Sequence, residues 1–151
     1  MPKMIEVKVE HQFSAAAEPI FDAWLQADTA RQWMIDALQS MGLEGDVRRV
    51  EIDARVNGKF TFSDMRDGNE AVHWGYYHEI TRPHRLVFSW FTSEEDEQEN
   101  ASLVTLVITP LEQGCLATIA HSMDARYEAY IPQTANGWGT LLKYAGSSAE
   151  R

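Results

Sequence analysis

The chain has 151 residues, 44% hydrophobic, 24% charged and 11% aromatic, enough for one domain with a sizeable core and too apolar for a disordered or fibrous polypeptide. Its 13 Lys and Arg against 23 Asp and Glu leave a net charge of −10, which repels phosphate backbones and anionic headgroups, so neither nucleic acid nor a membrane surface is an expected partner. The single cysteine, Cys115, cannot form an internal disulfide, which fits a cytoplasmic setting, and no apolar run matches a signal-peptide core or a membrane span.

Residues 4–13 alternate in polarity, which predicts a half-buried strand with Ile5, Val7, Val9, His11 and Phe13 on one face. Glu18-Pro19 opens a helix, since proline suits a first helical turn and an acidic side chain meets the positive end of the helix dipole. Ile20, Phe21, Trp24 and Leu25 form its buried stripe. Asp28 is expected to cap a second short helix carrying Ala30, Trp33, Met34 and Ala37, and residues 38–46, with two glycines, read as a loop.

From Val47 the period changes to two. Asn57-Gly58 is the pair a type I′ turn prefers, so strands at 47–55 and 59–65 are expected to form a hairpin. Asp67-Gly68 is a further turn, leading to a strand at 71–81, and Arg82-Pro83-His84 breaks the pattern before a strand at 86–91. The acidic block from Ser93 to Asn100 has no apolar face and reads as a solvated loop. Leu103–Thr109 and Leu116–Met123 are β-rich runs separated by Pro110 and Gln113-Gly114. Ile131, Ala135, Trp138, Leu142 and Ala145 recur at spacings of three and four, which predicts a closing helix over 126–146 that Gly146 ends.

Chemistry-bearing motifs are scarce. His73 and His78 are five positions apart on one strand and point to opposite faces, and His11, His84 and His121 lie on separate elements, so no metal site is expected. Cys115, after Gly114 at a strand start, lacks the basic neighbour or helix N-terminus that would activate a thiol. Gly137-Trp138-Gly139 lies within a helix and is no dinucleotide fingerprint; its glycines are expected to let the helix approach the sheet. No lipase, phosphate-loop or metalloprotease signature occurs, no catalytic residue is assigned, and no cofactor is expected.

What stands out is a set of large aromatics, Phe60, Phe62, Trp74, Tyr76, Trp90 and Trp138, joined by His121 as a polar candidate. They are either ordinary core or the lining of an apolar cavity between a curved sheet and the closing helix, and parity alone does not say which sheet face is concave.

Four phrases then carry a resemblance: Ala17-Glu-Pro-Ile-Phe21-Asp-Ala-Trp24 with Gln32-Trp33; Ile52-Asp53-Ala-Arg55-Val-Asn-Gly58-Lys-Phe60; Gly75-Tyr-Tyr77-His-Glu79-Ile80 continuing through Pro83 to Phe88; and Asn136-Gly137-Trp138 with Leu142. In that order they resemble the START-like (SRPBCC) superfamily, and within it the family of homologues of the activator of heat-shock protein 90 ATPase. Asn57-Gly58 stands where many relatives carry two glycines, and Cys115 where a threonine often starts the seventh strand.

The resemblance implies one α+β domain over residues 1–151 with a helix-grip fold: a curved seven-stranded antiparallel sheet around a long C-terminal helix, two short helices after the first strand, and a cavity between sheet and helix. It supplies no shared catalytic residues. The eukaryotic namesakes act on the chaperone through an additional N-terminal domain, which a chain of this length is not expected to carry. Three functions follow as expectations: binding of a small apolar molecule; a protein-interaction module using the acidic 94–99 loop or an exposed sheet face; and a polyketide-cyclase-like enzyme using His121, Asp64 or Tyr76. Monomer and homodimer are both open.

Overall fold

The computed structural model describes residues 3–150. Strand β1 (Met4–Phe13) is followed by helices α1 (Ala17–Asp22) and α2 (Ala27–Ser40) and then by six strands: β2 (Asp46–Ile52), β3 (Lys59–Arg66), β4 (Asn69–Thr81), β5 (Arg85–Ser89), β6 (Leu103–Pro110) and β7 (Cys115–Asp124). A short helix α3 (Glu94–Glu99) separates β5 from β6, and a 3-10 turn over Ala125–Tyr130 leads into the long helix α4 (Ile131–Ser147).

The strands form one antiparallel sheet in the order β1-β7-β6-β5-β4-β3-β2. Neighbours in sequence pair from β2 to β7, and β1 closes the order by running against β7 from Met4↔Asp124 to Phe13↔Cys115. The register sorts side chains by face: Val7, Val9 and Phe13 on β1 align with His121, Ile119 and Cys115 on β7, and Ala117, Ile119 and His121 with Ile108, Leu106 and Val104 on β6. Helix α4 packs across this face, beside β1 and α2, and buries Trp138, Leu142 and Ala145. Every second residue of β7 is buried, the period expected of a sheet covered on one side.

Several local expectations need correction. Residues 53–58 form a longer connection between β2 and β3, in which Asn57 has a positive φ but Gly58 does not. Gly58 is needed for close approach: a Cβ there would lie 2.1 Å from the Asp53 carbonyl oxygen, and the segment pairs with β4 through Asn57 N–H to Tyr77 O (2.8 Å) and Tyr77 N–H to Gly58 O (3.0 Å). The two-residue turn lies at Asp67-Gly68, where both φ values are positive (51° and 80°) and Arg66 aligns with Asn69.

Helix α2 is also longer than expected and runs through Ser40, with Gln26 as its N-cap and Asp28 inside the first turn. There Asp28 acts on the helix dipole and caps nothing. The acidic block is a helix. Its N-cap Ser93 accepts the Asp96 N–H (3.1 Å), its first turn is all carboxylates, and Asn100 ends it in the left-handed conformation. Caps and dipole outweigh the missing apolar face, and no residue of α3 is buried, as solvation of this segment predicted. Gly146 lies inside α4, where a Cβ would press to within 2.2 Å of the Phe13 ring, so its service is close packing.

Candidate functional site

Between the concave face of the sheet, α2 and α4 lies an inner cavity of ≈ 250 Å3. Phe60 and Phe62, two apart on β3, face it together, and the register sets Gly75 opposite Phe60 and His73 opposite Phe62 on β4. Trp24, Trp33, Met34 and Leu38 close it from the helical side, and Leu86, Phe88 and Trp90 supply its floor. Trp90 is the centre of the aromatic wall, with ring centroids 5.0 Å from Trp138, 5.0 Å from His73 and 6.0 Å from Phe60.

A second, outer cavity of ≈ 730 Å3 lies toward α3, the end of β7 and the start of α4, and Trp90, His121 and Trp138 are among its walls. The candidates Phe60, Phe62, Trp90, His121 and Trp138 are therefore brought together around two adjoining spaces. Trp74 and Tyr76 are not. They align with Thr61 and Lys59 on the opposite face of the sheet, where the Trp74 indole N–H and the Tyr76 hydroxyl reach Glu97 of α3. The inward positions of β4 are His73, Gly75 and Tyr77, the parity that excludes Trp74 and Tyr76.

Polar groups on these walls have defined roles. The Trp138 indole, which can only donate, gives its N–H to His121 Nδ1 at 3.0 Å. The proton of the neutral imidazole therefore sits on Nε2 and is donated to Ser102 Oγ at 2.8 Å. Burial lowers the His121 pKa to about 4, so the ring is neutral near pH 7. His73 is also lowered to about 4, first by burial and then by the positive charge of Arg66, against an opposing effect of Asp64. Asp64 is buried, but both its oxygens accept from Arg66 (2.9 and 3.2 Å). Tyr77 is buried with its phenol held well above the ordinary range by desolvation, so it stays a neutral hydroxyl. The indole N–H of Trp24, also in the wall, is buried with no hydrogen-bond partner among the described residues.

The three residues proposed for acid–base work do not converge. Asp64 is neutralised by Arg66, His121 has both nitrogens engaged, and Tyr76 lies on the other face of the sheet. Among the described residues no three His, Cys, Asp or Glu side chains are grouped to hold a metal ion. Cys115 is fully buried, and desolvation raises its thiol pKa further, which makes it a packing residue. No helix among the described residues is long and apolar enough to cross a membrane.

Sequence reasoning missed His73, Tyr77 and Gly137. The first two were legible from parity once Phe60 is taken as inward. The expected close packing at Gly137 and Gly139 is absent, since a Cβ at either would meet no heavy atom within 4 Å. Gly137 borders open space and lines both cavities.

A curved seven-stranded antiparallel sheet, a long C-terminal helix laid across it and an aromatic cavity between them define a START-like protein of the helix-grip fold. Residues 14–144 match the family described as Activator of Hsp90 ATPase homolog 1-like protein, and the chain belongs to that family. No match to a curated protein was found. Among solved structures, protein CV1439 from Chromobacterium violaceum is similar at 22% identity over 99% of both chains, with a TM-score of 0.75. Protein SA2116 of unknown function from Staphylococcus aureus is similar at 15% identity over 99% of this chain and 98% of its own, with a TM-score of 0.77. CalU16 from Micromonospora echinospora reaches 18% identity over 95% of this chain and 75% of its own, with a TM-score of 0.66. At these identities the likeness is one of fold.

Proposed function

We propose that the protein binds a small, largely hydrophobic molecule in the cavity between the sheet and α4. The observation that carries this reading is the inner lining: Trp, Phe, Met and Leu side chains dominate it, its histidine is neutral, and its acidic and basic groups, Asp64 and Arg66, neutralise each other. Such a space rewards an apolar guest, and neutral donors such as the Tyr77 hydroxyl can orient it.

Native mass spectrometry of freshly purified protein, followed by denaturing extraction, tests the reading. The expected result is one apolar molecule per chain, or, from apo protein, saturable binding of the neutral dye aminoanthracene that quenches tryptophan emission. A clean apo mass together with no saturable dye binding rejects it.

A second reading, a protein-interaction module, draws support from α3, whose Glu94 and Glu95 are exposed at the rim, and from the family's description. It predicts that Glu94→Lys, at an exposed position that lines neither cavity, weakens association with a purified chaperone of the Hsp90 class and leaves dye binding intact. Unchanged association rejects this acidic docking.

A further inference from the structure

The inner and outer cavities share four wall residues: Trp90, Gly137, Trp138 and Leu141. At that junction Trp90 and Trp138 meet edge to face at 5.0 Å, and beside them α4 presents a glycine. Glycine in the interior of a 17-residue helix weakens it, and here no close approach compensates, because a Cβ on Gly137 would meet nothing within 4 Å. Gly139 is equally open but lines neither cavity. What distinguishes Gly137 is where its missing side chain would go, into the place where the two spaces meet.

We propose that the two cavities are one elongated binding site with its throat at Gly137, and that the ligand is an extended, mostly apolar molecule with one polar, non-anionic end. The apolar body lies in the inner chamber against Phe60, Phe62 and Trp33, and the polar end reaches the outer chamber, where the hydroxyls of Ser102 and Thr134 offer hydrogen bonds. In that outer wall Glu95, Asp96, Glu99 and Asp124 outnumber Arg126, which disfavours a carboxylate or phosphate headgroup. This assignment rests on the apolar-ligand reading above and adds the ligand's shape, its orientation and the residue that selects it.

The test uses two neutral fluorescent probes, the compact aminoanthracene and the rod-like diphenylhexatriene, with wild type, Gly137→Val and Gly139→Val. Wild type is expected to bind both. Gly137→Val is expected to lower affinity for the rod by about tenfold or more and for the compact probe by less than about threefold. Gly139→Val, which makes the same helix change away from the throat, is expected to leave both affinities unchanged. Thermal melts confirm folding, and Gly137→Ala supplies a milder obstruction with a smaller loss in the same direction.

Equal rod affinity in wild type and Gly137→Val overturns the throat, as does the same loss in Gly139→Val or a wild type that binds only the compact probe. A wild type that binds neither probe overturns the apolar-ligand reading itself. For the polar end, a long-chain alcohol is expected to displace the rod better than the fatty acid of the same length, and the reverse order overturns the non-anionic assignment.

Discussion

Gly75→Ala is expected to destabilise the protein by about 3 kcal/mol or more, read as a lower midpoint in urea unfolding at unchanged slope. Gly75 sits mid-way along β4, opposite Phe60. A Cβ there would lie 1.9 Å from the Ser89 carbonyl oxygen and 2.8 Å from the tip of the Phe60 ring. The ring could shift. The carbonyl cannot do so cheaply, because Ser89 is buried, ends β5 and accepts the Tyr76 N–H on its hydroxyl (2.9 Å). The contrast is Gly137→Ala, which meets open space in a helix and is expected to stabilise the fold by up to about 1 kcal/mol. A Gly75→Ala variant with wild-type stability would show that the end of β5 yields freely, and the aromatic wall it carries would then be adjustable.

These two glycines show where the sequence is legible and where it is not. Periodicity located the closing helix and the strands that bury one face, since the alternation of Val7, Val9 and Phe13, or the spacing of Trp138, Leu142 and Ala145, is a direct print of that burial, and turn residues bounded the other strands. Turn chemistry was harder. Asn57-Gly58 and Asp67-Gly68 are equivalent as dipeptides, and only the pairing of residues 57 and 58 with Tyr77, a contact remote in sequence, reserves the tight turn for the second. The acidic block reads as a loop because helix periodicity needs an apolar face to print, and α3 is held by its caps and by Glu97 on Trp74 and Tyr76.

For the site, five of the seven named residues line the two cavities, and the two failures have one cause. Trp74 and Tyr76 are as bulky as the lining residues, but they occupy the outward parity of β4 and hydrogen-bond to Glu97 of α3. Size marks a residue as having a neighbour; parity decides on which side. Gly137 is harder to read for the complementary reason, since a glycine that makes room for a backbone and one that borders open space are the same letter.

Stability is expected to fall by on the order of 3 kcal/mol between about pH 6.5 and about pH 4 through His121 alone. The imidazole has an ordinary value of 6.5 and is lowered to about 4 in the folded chain by burial. Above the unfolded value neither state binds the proton and nothing is lost. As pH falls below it, the unfolded chain takes up the proton and the folded chain refuses it, so the balance moves toward unfolding. The loss is complete once pH drops below the folded value. His73, lowered in the same sense, adds to the same window, whereas Asp22, lowered by its hydrogen bonds with Arg82, acts below the ordinary carboxylate value of 3.8.

The geometry supplies a reason beyond desolvation. Protonation would place a hydrogen on Nδ1, the atom that already receives the Trp138 N–H, so the cation would set two donors against each other. Trp138→Phe removes that donor and keeps most of the ring. It is expected to cost about 1–3 kcal/mol near pH 7 through the unpaired nitrogen and lost packing, and to make the acid dependence of stability shallower. Paired urea titrations at about pH 7 and about pH 4.5 measure both effects, and nitrogen NMR of the imidazole reports whether Nδ1 is bare. A wild-type His121 that titrates near 6.5 would mean that water reaches the ring and that the outer cavity presents an ionisable base. A ring neutral down to about 4 makes His121 a fixed hydrogen-bonding post between Trp138 and Ser102 and too weak a base for general-base work at neutral pH.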